Sequence, residues 1–320
     1  MASFTVIVPT FKETDKIRTL LACFKAVDNP DVRVYIPNGN PGDQTSDLLS
    51  GPGGDPRVLE LEGKPSLFWS GLVNIGLRRV LSDSPGPDYV VLMNADIRFD
   101  PDLFSSLERV ARQAGISQIG ALCHNGKRVL SSGTRVRSWL LALTRHPFAG
   151  YRLADLPPLA LAPVDFLPTR CTAFPMEAVR KAGLVAERQL PHYGADNEYT
   201  LRLKRMGYPP FIAADIRIVC DMGHTGNSVY HKNPPLWERL KKTGSIKSVY
   251  NPRIRSRFIC MTYPLYARPT ALLMYGLKGL AEVLLGGAFI RHVFRSREHG
   301  FSGTESTSGE VLVVQGRKSI

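Results

Sequence analysis

A carboxamide and a carboxylate, Asn94 and Asp96, stand two positions apart in the stretch Tyr89–Leu103, YVVLMNADIRFDPDL. Both offer hard oxygen, the donor type suited to a divalent ion that also holds a phosphate. A second carboxylate, Asp196, lies in Leu190–Tyr208, LPHYGADNEYTLRLKRMGY, at the mouth of a helical pattern. A carboxylate partly withdrawn from water there is suited to take a proton from a hydroxyl as general base. His224, as neutral imidazole, is a further ligand able to complete a metal shell begun by Asp96. Each residue also has a plainer reading. Asp96 taken alone caps a turn, Asp196 is a good N-cap for a helix Asn197–Met206 stopped by Gly207, and a lone loop histidine is ordinarily solvated.

The elements that must position these groups follow from the hydrophobic pattern. Tyr89–Met93 is an unbroken apolar run, the mark of a strand buried on both faces, and it gives out into Asn94-Ala95-Asp96. Phe4–Pro9, Val32–Ile36 and Arg57–Leu61 read as further strands. Between them, Asp15 opens a helix with Leu20, Leu21, Phe24 and Val27 at helical spacing, and Leu67–Leu81 forms another, carrying Trp69, Asn74 and Gly76. Pro37–Asp43, PNGNPGD, is rich in turn formers. Strands alternating with helices predict an α/β fold on a mostly parallel, doubly wound, Rossmann-like sheet. Right-handed crossovers bring Thr10, Asn38, Asp43 and Asp96 to one carboxyl edge, where such sheets bind ligands. Neither G-x-G-x-x-G after the first strand nor G-x-x-x-x-G-K-[ST] anywhere is present, so a nucleotide would be held by other means. Downstream, Ile119–Cys123 and Ala214–Cys220 read as strands, Arg135–Pro163 as loops over the sheet, and Glu177–Ala182 as a helix ended by Gly183.

With 320 residues, 43% of them hydrophobic, the chain can bury a full core of its own. Five cysteines without C-x-x-C spacing argue against a disulfide framework or zinc site and for a reducing compartment. The start, MASFTVIVPT, does not resemble a signal peptide, which points to the cytoplasm or the cytosolic face of a membrane. Net charge is +13, and eight Lys and Arg lie between Lys232 and Arg257 against the single acid Glu238. No nucleic-acid module accompanies that cluster, so an anionic membrane surface is the better partner. Thr270–Ile290 is largely apolar, but Lys278, Glu282 and several glycines interrupt it. Its pattern predicts a helix lying in the membrane plane or binding a partner, with packing on the main domain as the alternative. The expected organisation is a main domain over residues 1–232, a basic helical region over 233–298, and a disordered polar tail over 299–320.

Five stretches, in order, together resemble the inverting nucleotide-sugar glycosyltransferases of family 2, with the GT-A fold. They are Val6–Lys12, Asn38–Thr45, Leu67–Gly76, Asn94-Ala95-Asp96, and His192–Asp196 with Leu201-Arg202. In flavour the chain is similar to bacterial rhamnosyl- and galactofuranosyltransferases of surface polysaccharide synthesis. The resemblance implies a nucleotide-sugar donor bound by Pro9, Thr10, Phe11, Asn38, Asp43, Trp69, Asn74, Asn94 and Ala95. It implies Mg²⁺ or Mn²⁺ held by Asp96, with His224 as a further ligand, and Asp196 as catalytic base. His192, Tyr193, Gly194 and Arg202 would meet a glycan or lipid-linked acceptor. The chain departs from the family pattern at Pro37-Asn38, at Asn94 in place of an Asp, and at Ala195 in place of a Glu. The rival readings are a catalytically inactive sugar-binding or scaffold protein at a membrane, and a nucleotidyltransferase.

Overall fold

The structure is a computed structural model that describes residues 1–51, 54–115, 117–220, 235–246, 248, 251–285 and 312–313. The chain begins β1 (Phe4–Ile7), α1 (Thr14–Lys25), β2 (Val32–Asn38), α2 (Gln44–Ser50), β3 (Val58–Glu62), α3 (Phe68–Ser82) and β4 (Tyr89–Met93). It continues with β5 (Ile97–Arg98), α4 (Leu103–Ala114), β6 (Gln118–His124), β7 (Val129–Ser131), β8 (Arg135–Ser138), β9 (Leu143–Arg145) and β10 (Ala160–Pro163). Then come β11 (Cys171–Pro175), α5 (Met176–Ala182), α6 (Ala195–Arg205), β12 (Pro210–Cys220), α7 (Leu236–Thr243), α8 (Pro252–Thr262), α9 (Arg268–Leu285) and β13 (Leu312–Val313).

The main sheet runs β13-β10-β12-β6-β11-β4-β1-β2-β3, with β5 paired to β12 and β7 to β6. Its parallel block, β4-β1-β2-β3, is the α/β pattern anticipated from the alternation of elements. Neighbouring residues on one strand face opposite layers, as a pleated sheet requires. Val91 and Met93 join the core under α1 and α4, while Val90 and Leu92 join the one under α3 and α5. That double burial is why Tyr89–Met93 reads as a continuous apolar run.

Beyond this block the sheet is mixed. β11 lies antiparallel between β4 and β6, with Cys171 opposite Met93, and β12 returns parallel to β6. Within Arg135–Pro163, read as loops, β8 and β9 make a separate two-stranded sheet and β10 joins the main one.

Three other expectations are corrected. Gly194, not Asp196, caps α6, which starts at Ala195. Cys123 and Cys220 form a disulfide, because the ends of β6 and β12 lie side by side with Cα atoms 5.8 Å apart. In the tail, Leu312–Val313 adds an edge strand to β10. The apolar run in VLVV suits such pairing, against the disorder expected of its polar surroundings.

The basic C-terminal region shares a core with α6 and the loops beside it. Ile254, Phe258 and Ile259 of α8 pack with Ala195 and Leu201 of α6 and with Ala271 of α9. Asn251 caps α8 through the N–H groups of Arg253 and Ile254, with Pro252 at the first turn. Arg205 of α6 donates to Met261 O at 3.1 Å and also to Thr262 O, clipping the two helices together. Among the described residues no helix is long and apolar enough to cross a membrane.

Candidate functional site

At the carboxyl edge of the parallel block lies a cavity of about 210 Å³, whose lining includes Pro9, Thr10, Phe11, Trp69 and His192. Thr10 is fixed by the backbone. Its N–H donates to Pro37 O at 3.0 Å, and its carbonyl accepts from Gly39 N at 2.9 Å. Its hydroxyl is buried without a hydrogen-bond partner, an arrangement that costs free energy unless a ligand supplies one. Lys12 and Phe68, beside and within this lining, hold positive φ angles of 55° and 51°. Strained backbone of this kind concentrates at ligand sites. Lys64 and Glu13 complete the rim, two charged positions that the sequence reading did not single out.

The loop Leu190–Gly194 runs from this cavity to α6. Ser70, in the first turn of α3, anchors it by donating its N–H to Pro191 O at 3.1 Å and its hydroxyl to Leu190 O at 2.5 Å. His192 and Tyr193 meet edge to face with ring centres 4.6 Å apart. Gly194 has φ +83°, and a Cβ there would sit 2.9 Å from Cδ2 of Phe258. Only glycine meets both demands, so it lets α6 start against α8.

At the second residue of α6, Asp196 is half-buried and accepts the Asn197 N–H at 2.8 Å. Burial pushes its carboxyl above the ordinary carboxylate range. The N–H groups of Asn197, Asp196 itself and Thr169, and the charge of Arg170, pull the other way. A raised carboxylate is a stronger base near neutrality. Arg170 was missed by sequence reasoning, since only the β4–β11 pairing brings it here.

The same arginine ties Asp196 to the end of β4. Its carbonyl accepts the Asn94 N–H at 3.0 Å. Asn94 and Asp96 are half-buried and Ala95 is buried, and one carboxylate oxygen of Asp96, Oδ1, is buried with no hydrogen-bond partner. An orphaned hard oxygen at this edge fits a Mg²⁺ or Mn²⁺ site completed by the ligand's phosphates. Among the described residues no three His, Cys, Asp or Glu gather as a metal cluster by themselves. His224 lies outside the described residues, as do Lys232 and Lys247 of the basic cluster.

Four residues expected to bind ligand are engaged by the protein itself. Asn74 is buried and clasps the chain beyond α5. Its carbonyl accepts from Val185 N at 2.9 Å, while its amide donates to Val185 O at 3.0 Å and Glu187 at 2.8 Å. Arg202 pairs with Glu198 at 2.9 Å and donates to Ala182 O at 2.5 Å and Leu184 O at 2.9 Å. Asn38, fully buried, donates to Glu60 at 2.8 Å and accepts from Asn40 N at 2.9 Å. Asp43 caps α2 through Thr45 N at 2.8 Å. Although burial opposes it, the donors Asn40, Thr45 and Asn38 hold the Asp43 carboxyl below its usual range. Each of these side chains is held in place by hydrogen bonds within the protein.

A family model described as "Glycosyltransferase like family 2" matches residues 2–242. The chain belongs to that family. A galactofuranosyl glycosyltransferase of Leishmania donovani is 22% identical over 183 residues, which are 50% of this chain and 42% of that protein. The chain therefore spans less than half the length of that relative. Among solved structures, the Pyrobaculum calidifontis mannosyltransferase PcManGT, in complex with GDP-Man and Mn²⁺, superposes with a TM-score of 0.50 at 17% identity. That match covers 93% of this chain and 79% of the other. GalNAc-T7 with UDP, GalNAc and Mn²⁺ gives 0.52 at 10% identity, over 91% of this chain and 58% of its own. At such identities the likeness shows the fold, and the fold of this family 2 chain is GT-A.

Proposed function

We propose that this chain is an inverting glycosyltransferase moving a sugar from a nucleoside diphosphate, dTDP-rhamnose or a UDP-sugar, to a hydroxyl of a glycan or lipid-linked glycan. The observation that carries this reading is the continuity of the edge. A cavity lined by Pro9, Thr10, Phe11, Trp69 and His192 adjoins the loop that delivers Asp196, and Arg170 connects Asp196 to the strand end bearing Asp96.

In this reading Phe11 and Trp69 offer apolar faces to the donor, and the Thr10 hydroxyl takes a hydrogen bond from or to it. His192 and Tyr193 flank the acceptor. Asp196 removes the proton from the acceptor hydroxyl as its oxygen attacks the anomeric carbon opposite the leaving diphosphate, so the configuration inverts. A Mg²⁺ or Mn²⁺ ion held at Asp96, beside the Asn94 carboxamide, would supply positive charge to the leaving diphosphate. The work takes place on the cytosolic face of a membrane, where a lipid-linked acceptor is presented.

A panel of UDP-, GDP- and dTDP-sugars with the wild-type chain tests the reaction by release of nucleoside diphosphate. Calorimetry of the donor that turns over, with and without Mn²⁺, tests the metal. The Mn²⁺-dependent gain in affinity is expected to vanish in Asp96→Ala. The same gain in that variant would place the metal away from Asp96, and no turnover of any donor would leave a binding protein rather than an enzyme.

A further inference from the structure

We infer that α7 and α9 form a docking surface for an anionic phospholipid bilayer, with α9 lying in the plane of the membrane on its leucine side. The inference extends the reading that places the acceptor at a membrane, but it stands on a separate part of the molecule and is tested without any transfer.

The orientation of α9 is the reverse of what its composition favours. A surface helix of a globular protein ordinarily turns its apolar stripe to the core and its polar side to water. Here the side that packs inward carries Ala271, Tyr275 and Arg268. The Tyr275 hydroxyl lies 3.2 Å from that of Tyr263, Arg268 donates to Tyr263 O at 3.1 Å, and Arg255 of α8 stacks 4.6 Å over the Tyr275 ring. On the opposite side Leu273, Leu277, Leu280 and Leu284, spaced by four, three and four residues, are between 53% and 62% exposed. Four leucines in one unbroken stripe exceed the scattered apolar exposure of ordinary protein surfaces and mark an interaction face.

Charge selects the occupant. Residues 235–285 carry nine Lys and Arg against two Glu. A second copy of the chain would set this cationic region against itself, whereas an anionic lipid surface complements it. On α7, Trp237 is 76% exposed with Leu236 and Leu240 beside it and Lys241 next in the chain. An exposed tryptophan among basic residues is the pairing found where a protein meets lipid headgroups. The 18 residues of α9 do not qualify as a membrane-spanning helix, so the surface lies on the bilayer rather than through it.

The test is co-sedimentation of the full chain with phosphatidylcholine vesicles, with and without phosphatidylglycerol. Binding is expected only with the anionic lipid and should weaken as salt rises. Leu277→Glu with Leu280→Glu should weaken it at least about tenfold, since two buried apolar contacts become charges. Lys241→Glu should weaken it about fivefold, the worth of one cation near an anionic surface. These variants replace exposed side chains, so the melting temperature and donor binding in solution should stay unchanged. Undiminished vesicle binding by either variant would overturn the inference. So would a concentration-dependent dimer that the leucine variant abolishes, or equal binding to neutral vesicles. Vesicle binding by a chain that turns over no donor would instead refute the proposed reaction and leave the surface standing.

Discussion

Replacing Gly194 by alanine probes the joint between the site and its C-terminal brace. Two costs add at this position. The backbone is left-handed, with φ +83°, which costs a residue with a Cβ about 1–2 kcal/mol. The new Cβ would also stand 2.9 Å from Cδ2 of Phe258. That ring has little room to withdraw, because Phe166 packs 6.2 Å from it and Arg255 lies 5.6 Å from its centre. Forcing a methyl group into such packing costs about 1–3 kcal/mol. The sum is about 2–5 kcal/mol, or a fall of about 4–10 °C in melting temperature for a chain of this size. Gly42 provides the control. It has φ +80° but nothing within 4 Å of its Cβ position, so Gly42→Ala should show the backbone cost alone, about 2–4 °C. Thermal melts of the two variants isolate the contact with Phe258 by difference. Equal melting temperatures would refute the seating of α8 against the start of α6, and with it the account of why a glycine precedes the base.

Two further outcomes are expected. Thr10→Val keeps the shape of the cavity and removes a hydroxyl that has no hydrogen-bond partner in the protein. It should leave the melting temperature unmoved and raise the donor Kd about two- to tenfold, the worth of one net hydrogen bond; an unchanged Kd would place the donor elsewhere. The Asp196 carboxyl, raised by burial, favours the folded state only while protonated, and that contribution is lost as pH rises through its folded-state value. Asp196→Asn should therefore melt above wild type near pH 7, and the gap should close as the pH falls below the ordinary aspartate value of about 3.9. A variant less stable than wild type at neutral pH would show that the carboxylate is held for stability.

The half of the fold around β4 was legible because both faces of its strands are buried, which writes itself as an apolar run, and because helices intervene at regular intervals. The direction of β11 was not, since Cys171–Pro175 is as apolar as a parallel strand and only its partners decide its orientation. The order of the loops placed Thr10, Asn38, Asp43 and Asp96 on one carboxyl edge, and only the family resemblance added Pro9, Phe11, Trp69 and His192, which line the cavity with Thr10. The internal hydrogen bonds of Asn74 and Arg202 were not legible, for a common reason. A polar residue inside a motif looks the same whether it waits for a ligand or clasps a neighbouring loop, and Val185, Ala182 and Leu184 are distant in sequence or chemically silent. Asp196 resembled an N-cap because aspartate is a preferred one, yet packing of Phe258 assigns that position to Gly194. The outward leucines of α9 follow its pattern as an amphipathic helix, but which side meets the protein is set by Arg255 on α8 and by Tyr263 just past its end.

The central claim is that Asp196 acts on the acceptor across a pocket whose donor it does not hold. Single-turnover transfer and donor calorimetry on Asp196→Asn test it together. Transfer should fall about 10²–10⁴-fold, the contribution of a positioned base, with donor affinity unchanged. Weakened donor binding with transfer preserved would contradict the account.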